Sequence, residues 1–537
     1  MTIISKDIPQ TEKLLKIIPE NVYTKDTPWL ARQVVKINSD NQSGVSTTFP
    51  ATNILKFTIN PTTSNLINLA ECYITMAGEL IPYDDINLSL VNKGVPYSEM
   101  IIPPYWWINC IQKMTLYIGG TVVYDINNPM NLVNFYTSHF TSFTDRQNGN
   151  LEEKGIYSII PDANNYILQG LTTTAGVSDT TPQFYNIQSY QSAEGDKLTF
   201  QNVIYLTDLF KGLDSVKPIY GNSIILEFTM ESKGFTGIRG TNISSNHMNY
   251  CLINKFSQFN LNVVSYQLDS PMIEKLNQIY SKEIISVIDD IQYFNNSLMD
   301  VGENSTLEIK IPLNLKFSSD LINISIPQST ANNYNSYGPW SDTLAALNHT
   351  KLDNRLYPIQ RISIYADGVL LYNRNYATST VGTGVNAGEN PLLISLNTVN
   401  TNEAFDLYDY TILYKEYKES RYCCYQNEHN AINIDEWLND YFSINIPTSA
   451  FTKLSTSSNC IMQITFGKGI RKGTAGEIDS LTTIAGDKTV LTQIKVIQKS
   501  KKALVFKGFN TCEVRTIEQS FSNDITIDNL NDTQKTN

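Results

Sequence analysis

One hairpin occurs twice in the chain, and that repeat constrains the fold more than any other feature. Residues 111–125, IQKMTLYIGGTVVYD, read as a strand, a tight turn at Gly119-Gly120 and a second strand. A Gly-Gly pair between runs of β-branched and aromatic residues is a hairpin signal. Residues 359–373, IQRISIYADGVLLYN, repeat the pattern with Asp367-Gly368 at the turn. That pair also tolerates positive φ. Ile111, Gln112, Tyr117, Gly120 and Tyr124 match Ile359, Gln360, Tyr365, Gly368 and Tyr372 without a gap, at an offset of 359 − 111 = 248 residues.

Three further matches flank the hairpins in the same order. ILKFTI (54–59) aligns with TLEIKI (306–311) at 311 − 59 = 252. TDLFKGL (207–213) aligns with TSAFTKL (448–454) at 448 − 207 = 241, and ILEFT (225–229) with IMQIT (461–465) at 461 − 225 = 236. Any two β-rich segments share such fragments by chance. A collinear set with a slowly drifting offset is what loop insertions and deletions between two copies of one fold produce.

At 537 residues the chain is too long for one core and accommodates two domains. Only 17% of residues are charged, while 31 Tyr and 21 Phe favour strands over helices. The net charge of −12 lacks the basic excess of a nucleic-acid binder. A local run, Lys499, Lys501 and Lys502, could face a polyanion, although a solvated strand end is the commoner use of such a run. Seven cysteines, an odd count without any C-x-x-C, and an N-terminus without signal-peptide pattern point to a reducing compartment. No apolar run approaches the roughly 18 residues of a membrane span.

Read in order, residues 1–46 form an N-terminal arm and 47–268 a first β-unit. Within it, 131–143 has helical spacing, TDLFKGL is a single turn capped by Thr207, and 158–195 is a long polar loop. Residues 269–296 form a helical connector, with Ser270 as N-cap and Pro271 at the first helical position. A second β-unit spans 297–520, with a Gly/Asn/Thr loop at 377–390 and a helix candidate in 405–423. A mobile polar tail follows at 521–537. About eight short strands per unit, separated by long excursions, predict an all-β chain of two tandem eight-stranded sandwiches with a few short helices.

The search for chemistry finds no catalytic, cofactor or metal site. His139, His247, His349 and His429 fit no metal motif, and His139 reads as a core residue on an apolar helix face. The glycine-rich stretch 467–473 misses the phosphate-loop spacing. Asp84-Asp85 and Asp289-Asp290 are inexpensive coincidences among 52 acids, and adjacent Cys423-Cys424 have poor geometry for a disulfide. Trp106-Trp107 would suit a sugar platform in a lectin, but leading into a buried hairpin they read as core or interface.

Two matched sandwiches in one acidic, cysteine-poor chain of this length resemble the double jelly-roll major capsid proteins of double-stranded DNA viruses, those of adenoviruses, tectiviruses, virophages and Polinton-like elements among them. The paired hairpins, with turns at Gly119, Gly120, Asp367 and Gly368, and TDLFKGL before the closing strand of the first unit bring it nearest to virophage and Polinton-like capsid proteins. The resemblance implies a non-enzymatic homotrimer of hexagonal outline, or hexon, that tiles an icosahedral shell. It implies contacts with neighbouring capsomers and with minor capsid or penton proteins, no cofactor, and no sequence-specific nucleic-acid binding. It also implies residence in the virion after synthesis in the host cytoplasm and assembly in cytoplasm or nucleus, with the loops 158–195 and 377–390 as outward towers. Two alternatives stay open: a two-domain β-sandwich carbohydrate-binding protein or glycoside hydrolase, and a minor capsid or spike protein. The internal repeat favours the first reading.

Overall fold

The computed structural model describes, apart from a few single positions, residues 30–40, 54–84, 111–142, 197–230, 250–295, 308–325, 359–381, 404–424, 441–451, 459–466 and 494–517, with short strand pieces between them. In the first half the long strands are β1 (Ala31–Ile37), β2 (Ile54–Ile59), β3 (Tyr73–Asp84), β4 (Ile111–Ile118), β5 (Thr121–Asn127), β6 (Lys197–Tyr205), β7 (Ile224–Met230) and β8 (Tyr250–Gln267). They form two sheets, β1-β8-β3-β6 and β2-β7-β4-β5. In the second half β9 (Glu283–Asn295), β10 (Glu308–Leu313), β11 (Ser319–Ser325), β12 (Ile359–Ala366), β13 (Val369–Asn375), β14 (Ile444–Pro447), β15 (Cys460–Phe466) and β16 (Lys495–Lys507) repeat the plan as β9-β16-β11-β14 and β10-β15-β12-β13. In each half successive strands alternate between the sheets, except at the hairpin. That winding is the jelly roll, and the chain is a double jelly roll.

Short pieces add to this framework, so eight does not describe the strand count of a roll. Thr47–Thr48 and Asn65–Ile67 pair with β8, Ser89–Leu90 with β3, and Ile187–Tyr190 with β6. In the second roll β17 (Cys512–Thr516) pairs with β16. Among the described residues no helix is long and apolar enough to cross a membrane.

The duplication reaches individual hydrogen bonds. Thr115 Oγ1 donates to Asp125 Oδ1 at 3.0 Å, and Ser363 Oγ to Asn373 Oδ1 at 3.0 Å. Asn128 N donates to Gln112 O at 2.7 Å, as Tyr376 N does to Gln360 O at 2.8 Å. Each hairpin carries a register shift at the matching step, Leu116/Tyr117 and Ile364/Tyr365. The β2/β10 alignment needs a correction. Ile59 faces Ile224 and Leu313 faces Cys460, and both of those residues cross to the ends of the matched hairpin strands, Ile118 and Ala366. Ile59 therefore answers to Leu313, two residues beyond the sequence alignment. A slip of two leaves every side chain on its own face, so alternation alone could not detect it.

Alternation also builds the cores. Leu55, Phe57 and Ile59 point inward from β2, and Ile309, Ile311 and Leu313 from β10. Phe57 and Phe228 meet Phe259 at ring separations of 6.2 Å and 5.6 Å in the first roll. In the second roll an aromatic cluster forms elsewhere, from Tyr417 on a helix with Trp437 and Phe442.

Several boundaries differ from expectation. The arm expected over 1–46 contains β1, which pairs with β8 from Ala31↔Gln267 to Ile37↔Leu261. The connector expected over 269–296 is helical only at α2 (Ser270–Tyr280), with α1 (Val133–Phe140) and α3 (Tyr410–Ser420) as the other long helices. Its remainder is β9, first strand of the second roll. Asp269, not Ser270, caps α2 by accepting from Met272 N at 3.1 Å; a carboxylate is the stronger acceptor. Thr207 lies inside its turn (Leu206–Leu209), where Asp208 accepts from Tyr205 N instead. The 158–195 loop lies almost wholly outside the described residues, as do the tail and His247, His349 and His429; of the 377–390 loop, Ala377–Val381 is a strand paired with Ala404–Tyr408.

Candidate functional site

The side chains with the most unusual environments gather at the seam between the two rolls. The apolar core of the first roll runs straight into the second half, taking in Ile284, Ile288, Leu504 and Phe506 from the inner strands β9 and β16. Three polar clusters stand on this seam.

The first is ionic. Lys499 is buried and its Nζ lies 2.8 Å from Asp289 and 3.0 Å from Asp320. Burial opposes its charge, but Asp289 and Asp320 outweigh burial and raise its pKa above the usual lysine range. Burial raises Asp289, and Lys499 pulls it back. Lys502 Nζ contacts Asp290 at 2.9 Å, donates to Val123 O at 2.5 Å and sits 4.4 Å above the Tyr124 ring. Tyr124 OH closes the cluster, 2.7 Å from Lys211 O and 3.0 Å from Asp289 O. Lys499 and Lys502 are thus committed to carboxylates in the middle of β16, which corrects the polyanion and solvated-end readings for these two, while Lys501 between them is exposed and lies 3.9 Å from Asp320. Asp289-Asp290 are the counter-ions of Lys499 and Lys502.

The second cluster surrounds His139 on α1. Its Nε2 lies 3.1 Å from Ser420 Oγ and 3.1 Å from Asn445 Oδ1 in the other roll, and Ser138 Oγ is 2.8 Å from Nδ1. Ser420 Oγ already donates to Tyr417 O, and Asn445 Oδ1 accepts from Asn323 Nδ2, so both are acceptors and Nε2 carries the proton. Tyr417 OH donates to Ser138 O at 2.7 Å and the buried Arg421 Nη2 to Thr141 O at 2.9 Å. Burial, reinforced by Arg421, lowers His139 to about 3. The imidazole is neutral and structural.

The third cluster seats the first hairpin turn. Gly119 (φ 56°) and Gly120 (φ 79°) are left-handed, as are Asp367 (φ 50°) and Gly368 (φ 81°) in the second roll. A Cβ on Gly119 would lie 2.8 Å from Asn222 Oδ1 and 3.0 Å from Cys512 N. Asn510 Oδ1 accepts from Ser223 N and Oγ at 3.1 Å and 2.7 Å, Asn510 N donates to Gly221 O at 2.9 Å, and Thr121 Oγ1 donates to Cys512 O. The loop before β17 therefore clasps the first roll.

Among the described residues no group of three or more His, Cys, Asp or Glu side chains could hold a metal ion. Trp107 is buried, so it forms no exposed platform, and Trp106 lies outside the described residues. Cys423 and Cys424 are free thiols. Sequence reasoning placed His139 in a core and found both turns, but missed the seam. The available signal was five charges in two short strand segments, Asp289-Asp290 and Lys499, Lys501 and Lys502, that only pair once β9 lies beside β16.

No protein-family model matches the sequence, and no curated protein sequence does. Solved structures do. The structure of the Sputnik virophage by cryo-EM is 11% identical, with a TM-score of 0.51 over 100% of this chain and 98% of that one, which shows a shared fold. The mavirus major capsid protein is 10% identical with a TM-score of 0.49, over 93% of this chain and 94% of that one. The PBCV-1 virus capsid is 14% identical with a TM-score of 0.47, over 92% and 98%.

Proposed function

We propose that this chain is the major capsid protein of a double-stranded DNA virus of virophage or Polinton-like type, a structural protein without catalytic activity. The observation that carries the reading is the pair of matched rolls locked by a buried seam. A shell subunit needs a rigid outline, and the seam supplies it through the buried Lys502, His139 and Arg421, each bonded across to the other roll. Two similar rolls per chain let a threefold assembly fill hexagonal positions, since each copy contributes two near-equivalent lobes. The protein accordingly forms homotrimers that tile a facet of the virion, with neighbouring capsomers and minor capsid proteins as partners. The fold shared with the virophage structure along the whole chain supports this reading, as does the seam's use of its lysines for carboxylates instead of nucleic acid.

Light scattering after size exclusion, followed by negative-stain imaging, tests it. The expected mass is three times 60.6 kDa, with a hexagonal outline and sheets or shells at high concentration. A stable monomer that binds a glycan would transfer the weight to the carbohydrate-binding alternative.

A further inference from the structure

Lys499 is placed as a reactant would be. Its side chain is 1% exposed, and its Nζ lies 2.8 Å from Asp289 Oδ1 and 3.0 Å from Asp320 Oδ2. β16 lies between β9 and β11, so each neighbouring strand supplies one carboxylate. Ile291 stands opposite Lys499, which puts Asp289 at the diagonal position on the same face. On the other side the ladder passes from Ser319↔Ser500 to Leu321↔Lys499, and Asp320 is the extra residue of that bulge. A bulge re-aims a side chain, and this one turns Asp320 onto the amine. The backbone of Asp289 is held in place: Tyr124 OH donates to its O at 3.0 Å, and a Cβ on Gly212 would lie 2.5 Å from its N. Lys502 supplies the contrast. It contacts Asp290 at 2.9 Å, Asp290 Oδ2 accepts from Gln292 Nε2 at 3.0 Å, and among the described residues no second carboxylate pairs with this lysine.

We propose that Lys499 Nζ and Asp289 Cγ condense to an amide within the chain, with Asp320 relaying the protons. An amine in hydrogen-bond contact with one carboxylate oxygen stands about 3–3.5 Å from the carbon, the near-attack range. Asp320 takes a proton from the ammonium, and the freed lone pair attacks Cγ. The tetrahedral centre then collapses with cleavage of one C–O bond. The protons shed by nitrogen pass through Asp320 to the leaving oxygen, and Asp320 ends as it began. Ammonium and carboxylate become one amide and one water, so atoms and charge balance without an oxidant or an activating group. Burial favours the step by opposing the charge on both partners. Asp289 and Asp320, 22% and 26% exposed, leave the water a way out. The bond ties the first strand of the second roll to its longest strand and closes a loop of 499 − 289 = 210 residues. It is a single-turnover maturation of the chain and does not depend on the capsid reading.

Mass spectrometry of the denatured full chain, with a peptide map, tests it. The wild type is expected to be lighter than its sequence by one water. The map is expected to contain a branched peptide joining the Asp289 and Lys499 segments, with tryptic cleavage lost after Lys499. Lys499→Arg and Asp320→Asn are expected to keep the full mass. Thermal melts establish that both fold, and the wild-type map decides the proposal where they do not. A wild type of full mass with an unbranched map, after prolonged incubation of the folded protein, would overturn the proposal. A water loss confined to one linear peptide, the mark of a succinimide, would overturn it too, as would a branch at Lys502 and Asp290. An Asp320→Asn chain that cross-links at the wild-type rate would overturn the relay.

Discussion

Gly119 and Asp367 occupy the same turn position in the two rolls, with φ of 56° and 50°. Their backbones are alike and their surroundings are not. Gly119 is pressed against Asn222 and the backbone at Asn510 and Cys512, a position where Asp367 carries a full side chain in the second roll; at the next position Gly120 and Gly368 alike have nothing within 4 Å of a Cβ. Where another part of the chain closes over the turn, even one carbon is excluded; where the turn is open, an aspartate fits and uses its carboxylate to accept from Asn459 N at 2.8 Å. Two copies of one fold differ by what each touches.

The largest break in the symmetry is ionic. In register with the neighbouring strands Lys499 answers to Asn262: Lys499 lies opposite Leu321 and Asn262 opposite Tyr73, and those two pair in turn with Pro447 and Tyr205. Lys499→Met strands Asp289 and Asp320 without their cation. A loss of about 3–5 kcal/mol in denaturant unfolding is expected, as for other buried pairs broken on one side. An unchanged midpoint would mean that the carboxylates find solvent.

The turns give the next largest contrast. Gly119→Ala is expected to cost about 2–4 kcal/mol, from left-handed strain plus the clash with Asn222 and Cys512. Gly368→Ala should cost only about 1 kcal/mol, from strain alone. Equal losses would show that the seating of the first turn is not what distinguishes the rolls.

The seam also predicts an acid limit. In the unfolded chain His139 takes up a proton near pH 6.5, but in the folded chain only near 3. The unfolded state therefore binds the extra proton first, so this stabilisation is complete above pH 6.5 and declines as pH falls toward 3. The slope should be about 1.4 kcal/mol per pH unit, or roughly 2 kcal/mol by pH 5. A His139→Gln variant should lose that slope in urea titrations at pH 5 and pH 7. Smallest is Asp125→Asn, which gives the first hairpin the residue the second has at Asn373. It removes the half-exposed Lys113–Asp125 pair and should change stability by less than about 1 kcal/mol, with the difference vanishing at high salt.

The rolls were legible because their strands obey a period of two and their hairpin repeats with few gaps. β1 was not, since RQVVK (32–36) puts valines side by side and alternates with nothing; it is a strand only because β8 lies beside it. The seam was illegible for a related reason. Lys499 and Asp289 lie on different strands about 210 residues apart (499 − 289), and a local window reads each as a solvated charge. Asp269 and Asp208 show the same limit at short range, where two candidate caps were adjacent and side-chain geometry chose between them.

The clasp at Thr121 and Cys512 joins groups 391 residues apart in sequence. During synthesis the first roll has all its own strands once Gln267 has emerged, yet its hairpin turn stays unseated until the ribosome has passed Cys512. Loop closure on that scale comes late and depends on everything between having found its place. The clasp therefore waits on nearly the whole chain, and it ties the first roll's hairpin to the last strand of the second half.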